Sequence, residues 1–219
     1  MINLFTNNKV VFFIYFFFLL AILPVLVIFP KGSIHLFINS LHNSSGDFFF
    51  KNITHLGDGL MPVFLAVLFV FFSIRKSLLL LAAGLFAGIM SQFFKRLVFP
   101  DVVRPIKYFE GLEELYLIEG INIHSSFSFP SGHAATIFAL CLCLVFFSKH
   151  NLVKILFLFL AIIVAFSRVY ISQHFMSDIV AGSVLGGLSA ILMHEIISKI
   201  ENAWIDKPIM KILKNRNHE

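Results

Sequence analysis

The chain has 219 residues, 58% of them hydrophobic and only 13% charged, with 17 Lys and Arg against 12 Asp and Glu. An average soluble domain is roughly half apolar and about 25% charged, so this composition excludes an ordinary water-soluble domain and points into the bilayer. The net charge of +5 is scattered over turns and a tail rather than gathered into a stripe, which argues against nucleic acid as a partner.

A hydrocarbon core of about 30 Å takes roughly 20 apolar residues of helix. In chain order the apolar runs predict spans at about 10–29, 58–74, 78–95, 132–148, 152–167 and 175–197. Compact turns join them on one side. Two longer outer loops, 31–57 and 96–131, join them on the other. The expected architecture is all-α: one domain over 1–219, built as a six-span transmembrane helical bundle. The first run is too long for the apolar core of a cleaved signal and reads as a retained span. Gly84 with Gly88, and Gly182 with Gly186, place small residues four apart, which lets helices approach closely inside one bundle. Cys141 and Cys143 stand inside an apolar run and read as inert packing residues.

Orientation follows from the basic residues. With the N-terminus inside, ten Lys and Arg lie on the inner side against four acids, and seven lie outside against eight. Loop Lys and Arg favour the cytoplasmic side, so the two long loops face outward. A basic tail beside a span sits against anionic lipid headgroups. The expected place is a bacterial inner (plasma) membrane, with the outer loops in the periplasm or exterior.

Three segments at the outer helix ends carry chemistry. Lys95-Arg96 and Arg104-Pro105 bound the second loop, Pro130-Ser131-Gly132-His133 opens the fourth span, and Ser167-Arg168 with His174 and Asp178 joins the fifth span to the sixth. Lys95, Arg104 and Arg168 match the charge of a phosphoryl group, arginine as a fork and lysine as a point charge. Ser131 and Gly132 offer free amides at a helix start, a ready anion site. His174 and Asp178 are four apart, one helical turn, so the carboxylate can fix the imidazole tautomer and His174 reads as the nucleophile. His133 is then free to protonate a leaving alkoxide. A carboxylate such as Asp178 within an apolar span is costly and functional by default. His35, His42, His55 and His124 read as surface or loop residues. No spaced Cys/His cluster suits zinc and no Gly-rich Lys-Ser/Thr loop suits a nucleotide, so neither metal nor cofactor is expected.

Pro130-Ser131-Gly132-His133, with Ser167-Arg168, five residues, His174, three residues and Asp178, resembles the signature of the type-2 phosphatidic acid phosphatase superfamily. Leu56-Gly57-Asp58 is also similar to a family phrase. The resemblance implies a helical bundle and a metal-independent phosphatase working through a phosphohistidine. His174 would attack phosphorus and His133 donate the proton, while Lys95, Ser131, Gly132, Arg104 and Arg168 hold the phosphate. The family's first motif has six residues between its Lys and its Arg-Pro. Here eight separate Lys95 from Arg104, which leaves Lys95 or Arg96 for that role, with Lys95 taken. The expected substrate is a lipid phosphomonoester or diphosphate: undecaprenyl diphosphate, phosphatidylglycerophosphate, phosphatidic acid or a lipid A phosphate. A lipid phosphotransferase and a non-enzymatic membrane transporter are the competing readings.

Overall fold

The computed structural model describes residues 2–216. In chain order the helices are α1 (Ile2–Asn7), α2 (Lys9–Ile28), α3 (Lys31–Asn39), α4 (Ser44–Ile53), α5 (Met61–Phe69), α6 (Ile74–Phe93), α7 (Pro105–Tyr108), α8 (Gly132–Phe147), α9 (Asn151–Tyr170), α10 (Met176–Ser198) and α11 (Ile209–Arg216). Among the described residues there is no strand. Four helices are long and apolar enough to cross a bilayer: Lys9–Ile28, Ile74–Val98, Asn151–Tyr170 and Met176–Ser198. Ser44–Gly57 and Met61–Phe69 form a further pair bent by 65°. The remaining apolar helix, α8, has 16 residues.

Local chemistry sets the helix starts. The Asn43 side chain accepts from the Gly46 amide at 2.9 Å to open α4, and Asp47 follows in the first turn, where a negative charge suits the helix dipole. Stretch 31–57, expected as an outer loop, is therefore largely helical. Its polar residues cap and line two short helices, α3 and α4, instead of interrupting them. Ser73 caps α6 through the Lys76 amide at 3.4 Å, so α6 begins at Ile74, several residues before the apolar run starting at 78.

The core is α6, α8, α9 and α10, with α8 in the centre. Eleven α8 residues are buried, which explains an apolar composition with no preferred face: a helix surrounded by protein is apolar all round. Close packing of α8 against α10 depends on glycine. A Cβ at Gly182 would stand 2.5 Å from the Ser131 carbonyl oxygen and 2.9 Å from the Ala134 Cβ, and one at Gly186 would overlap the Ala135 carbonyl. The second pair divides. Gly84 lies against Pro62 of α5, while Gly88 has open space around it. Cys141 and Cys143 are buried and unpaired in α8. In contrast, only 6% of the apolar window of α2 is buried, so that helix presents most of its phenylalanines to lipid.

Candidate active site

The turn between α9 and α10 sets the geometry. The Arg168 carbonyl accepts from both the Gln173 amide (2.9 Å) and the His174 amide (3.0 Å). This pair of hydrogen bonds folds the chain back so that Arg168 and His174 lie near each other. Helix α10 begins only at Met176, so His174 precedes the helix and is not on the same helical face as Asp178. The pair forms differently. Asp178 is the third residue of α10, and its Oδ2 accepts the Phe175 amide at 3.0 Å, holding the chain end that carries His174. The His174 Nδ1 lies 3.3 Å from that same Oδ2, just beyond the usual range of about 2.7–3.2 Å.

Ser128, which carries no signal in the sequence, is the nearest partner of this carboxylate. Its hydroxyl donates to Asp178 Oδ2 at 2.5 Å and lies 3.4 Å from His174 Nδ1. The Ser131 amide donates to the Asp178 carbonyl at 2.9 Å. Both ends of Asp178 thus fasten the segment leading into α8 onto the start of α10. Ser131 caps α8 through the Ala134 amide at 3.4 Å. Beside it a Cβ on Gly132 would lie 3.2 Å from Ser91 Oγ and 4.0 Å from Lys95 Nζ. Glycine here lets the Lys95 ammonium approach the free amides at the helix start.

Lys95 is buried and Arg96 is exposed, with its guanidinium over the Phe127 ring. Residues Phe94–Val98 form a turn of π-helix. Such a turn takes one more residue than an α-turn, and the loop beyond it absorbs the long spacing to Arg104. Arg104 is fixed by backbone and side chain: Nε donates to the Ser126 carbonyl at 2.9 Å, and Nη1 to Gln173 Oε1 at 2.7 Å. Gln173 in turn donates to the Asn122 carbonyl at 2.8 Å, so one amide side chain orients an arginine and pins the second loop. Arg168 donates from Nη1 to Thr54 Oγ1 at 2.9 Å, while its Nε is buried without a protein partner.

Burial first, then the charges of Arg104, Lys95 and Arg168 and the neighbouring His133, hold the His174 imidazole well below its ordinary range. These groups therefore share one electrostatic neighbourhood, and His174 is neutral at pH 7. With Nδ1 turned to Asp178, a neutral His174 presents the lone pair of Nε2.

His133 has a partner of its own. Its Nε2 lies 2.8 Å from Asp58 Oδ1, and Asp58 occupies the break between the two bent helices. Gly57 makes the approach possible, since a Cβ there would stand 3.1 Å from the His133 carbonyl. A cavity of about 250 Å³ opens beside His133 and Arg168, lined also by Asp58, Thr54 and Gln173.

All eight residues expected at the site are brought to one end of the bundle. Asp58, Ser128, Gln173 and Thr54 were missed. Only Asp58 had a signal, its place in Leu56-Gly57-Asp58. His35 also differs from expectation. It is buried, 3.2 Å from the Ser172 hydroxyl and beside the Phe175 ring, and burial, then His42, pushes its pKa down to about 4. His124 is exposed and lines the cavity. Among the described residues no three His, Cys, Asp or Glu side chains gather as a metal-binding group.

Fold and site together have the build of a membrane phosphatase, an enzyme embedded in the bilayer and handling phosphate with fixed cations and histidines. The model of the PAP2 superfamily matches residues 76–201, more than half of the sequence. The chain belongs to the PAP2 superfamily. A lipid A 4'-phosphatase of Bacteroides thetaiotaomicron is 26% identical over 172 residues, covering 75% of this chain and 76% of that one. A phosphatidylglycerophosphatase B of Bacillus subtilis is 41% identical over 86 residues, covering 35% of this chain and 42% of that one. Among solved structures, the Aquifex aeolicus LpxE has a TM-score of 0.66 at 23% identity, over 74% of this chain and 93% of that one. A transmembrane PAP2-type phosphatidylglycerolphosphate phosphatase from Bacillus subtilis has a TM-score of 0.63 at 25% identity, over 90% and 98%. The first of these likenesses speaks for the fold. The chain is an integral membrane phosphatase whose relatives act on lipids.

Proposed function

We propose that this chain hydrolyses a phosphate ester or anhydride of a membrane lipid, with His174 as nucleophile. The observation that carries the reading is the meeting of His174, Asp178, His133 and three cations from separate segments. His174 Nε2 forms a bond to phosphorus as the bond to the leaving oxygen breaks in line with it. Asp178 stabilises the positive charge that develops on the imidazole. His133, with Nε2 held by Asp58, gives a proton to the leaving oxygen from its other nitrogen. Water then attacks from the vacated side, His133 takes its proton, and orthophosphate departs. Lys95, Arg104, Arg168 and the amides at Ser131 and Gly132 hold the phosphoryl oxygens, where fixed donors lower the barrier most.

The chain is read as one domain. The four long helices, the bent pair and α8 make six spans, with the site on the outer side of a bacterial inner membrane. The excess of inner Lys and Arg supports that orientation. At 16 residues, α8 is roughly 24 Å long, shorter than the about 30 Å of hydrocarbon. A start recessed by that difference would lie at a depth a lipid headgroup can reach by sinking slightly.

The test is phosphate release by detergent-solubilised protein from a panel of lipid phosphates, with EDTA present and His174→Asn alongside. Release by the wild type alone, unaffected by EDTA, is expected. Equal release by the variant would remove His174 from the mechanism. Transfer of the phosphate to a second lipid, with none reaching water, would make the enzyme a phosphotransferase.

A further inference from the structure

The cavity beside His133 extends beyond what one phosphoryl group needs. At about 250 Å³ it has room for roughly eight waters at about 30 Å³ each. His133 and Arg168 line it and His174 does not. In an in-line displacement the leaving group departs opposite the nucleophile. If His174 attacks and His133 protonates, the cavity is where the leaving group goes, and the rest of its lining meets that group.

The lining is basic beyond His133 and Arg168. Lys51 is part of it and makes no ion pair among the described residues; its ammonium donates to the Glu119 carbonyl at 2.7 Å. The loop closes on that ammonium at Gly120, where φ is +75° and a Cβ would stand 3.1 Å from Nζ. Three residues after Lys51, Thr54 accepts from the Arg168 guanidinium, so one short segment carries Lys51 and holds Arg168. His124 lines the same cavity from the opposite loop. Burial, then Arg104, Arg168 and Lys95, lower its pKa, which places it within reach of their field. The acid in this wall, Asp58, is already engaged by His133 at 2.8 Å and His55 at 2.9 Å.

We propose that this cavity is a subsite for a second phosphoryl group on the leaving side of the substrate, contacted by Lys51 and His124. The inference rests on the phosphatase reading above and narrows its substrate class. For a lipid diphosphate, His174 Nε2 bonds to the terminal phosphorus and the bridging P–O bond breaks. The lipid monophosphate leaves with its charge held by Lys51. Water then releases orthophosphate from His174. A phosphodiester one glycerol away from the scissile bond offers the same chemistry at longer reach.

The experiment compares kcat/KM on three lipids in mixed micelles: a prenyl diphosphate, a phosphatidylglycerophosphate and a phosphatidic acid, which has no second phosphoryl group. The wild type is expected to favour one of the first two over phosphatidic acid by about tenfold or more, and which one is favoured tells the two sources apart. In Lys51→Met and in His124→Gln that ratio is expected to fall about tenfold. Ratios within twofold of wild type in both variants would overturn the proposal. A second measurement does not need turnover: thermal stabilisation of His174→Asn by inorganic pyrophosphate and by orthophosphate. Greater stabilisation by pyrophosphate, lost on adding Lys51→Met, supports the subsite, and an advantage that survives Lys51→Met overturns it. No release from any lipid would count against the phosphatase reading, and the pyrophosphate comparison would still decide the subsite.

Discussion

His133 Nε2 and Asp58 Oδ1 lie 2.8 Å apart, joining the start of α8 to the break between two bent helices. The carboxylate fixes the orientation of the ring, as an orienting acid does for a catalytic imidazole. Asp58→Asn keeps the size of the side chain and removes the charge. It is expected to lower kcat by about ten- to a hundredfold, less than the 10²–10⁴ a general acid itself supplies, with a smaller change in KM. Steady-state kinetics on one lipid phosphate checks this, and an unchanged kcat would leave Asp58 a structural residue.

In the proposed mechanism a proton from His133 matters in proportion to how poor the leaving group is. His133→Ala is expected to lose about 10²–10⁴ in kcat on an alkyl phosphate. On a nitrophenyl phosphate, whose leaving oxygen needs no proton, the loss is expected to be far smaller. Parallel losses on both substrates would contradict the assignment.

Lys95 and Arg96 are neighbours with opposite surroundings, one buried near Gly132 and one exposed. Removing a buried cation from a phosphate costs about 2–5 kcal/mol. Lys95→Met is therefore expected to lower kcat/KM by about a hundredfold or more, and Arg96→Met by less than about threefold. The reverse ranking would move the first-motif role to Arg96.

His174 also links stability to pH. Its folded-state pKa lies well below the ordinary value, so the unfolded chain takes the proton first. Stability is intact above the unfolded pKa of about 6.5 and is lost as pH falls below it, until the folded group also protonates. The thermal midpoint of ligand-free wild type is expected to drop more between pH 7.5 and 5.5 than that of His174→Asn. Equal drops would show that His174 is not held neutral.

Gly182 is where α10 meets the segment carrying Ser131. With the Ser131 oxygen 2.5 Å from a Cβ built there, Gly182→Ala forces the helices apart. Overpacking of this kind costs about 1–3 kcal/mol. A lower thermal midpoint and reduced turnover are expected together, because the same contact sets both the packing and the placement of Ser131.

The sequence by itself determined the membrane environment and the helical class, and it marked the basic and histidine residues at the helix ends that the fold gathers at one end of the bundle. These are properties of composition and local spacing: a bilayer demands apolar length, and a phosphoryl group demands cations and histidines. It also marked Gly182 and Gly186, since two glycines one turn apart leave a groove on any helix. Tertiary structure decided the rest. That Lys95 turns inward and Arg96 outward depends on a π-turn, which no residue pattern announced. That Asp178 is held by Ser128, Arg104 by Gln173 and His133 by Asp58 depends on segments 50 to 75 residues apart. Hydrogen bonds between such distant residues leave no periodicity in the chain. They arise only when packing of α8 against α10 brings the loops over one end of the bundle.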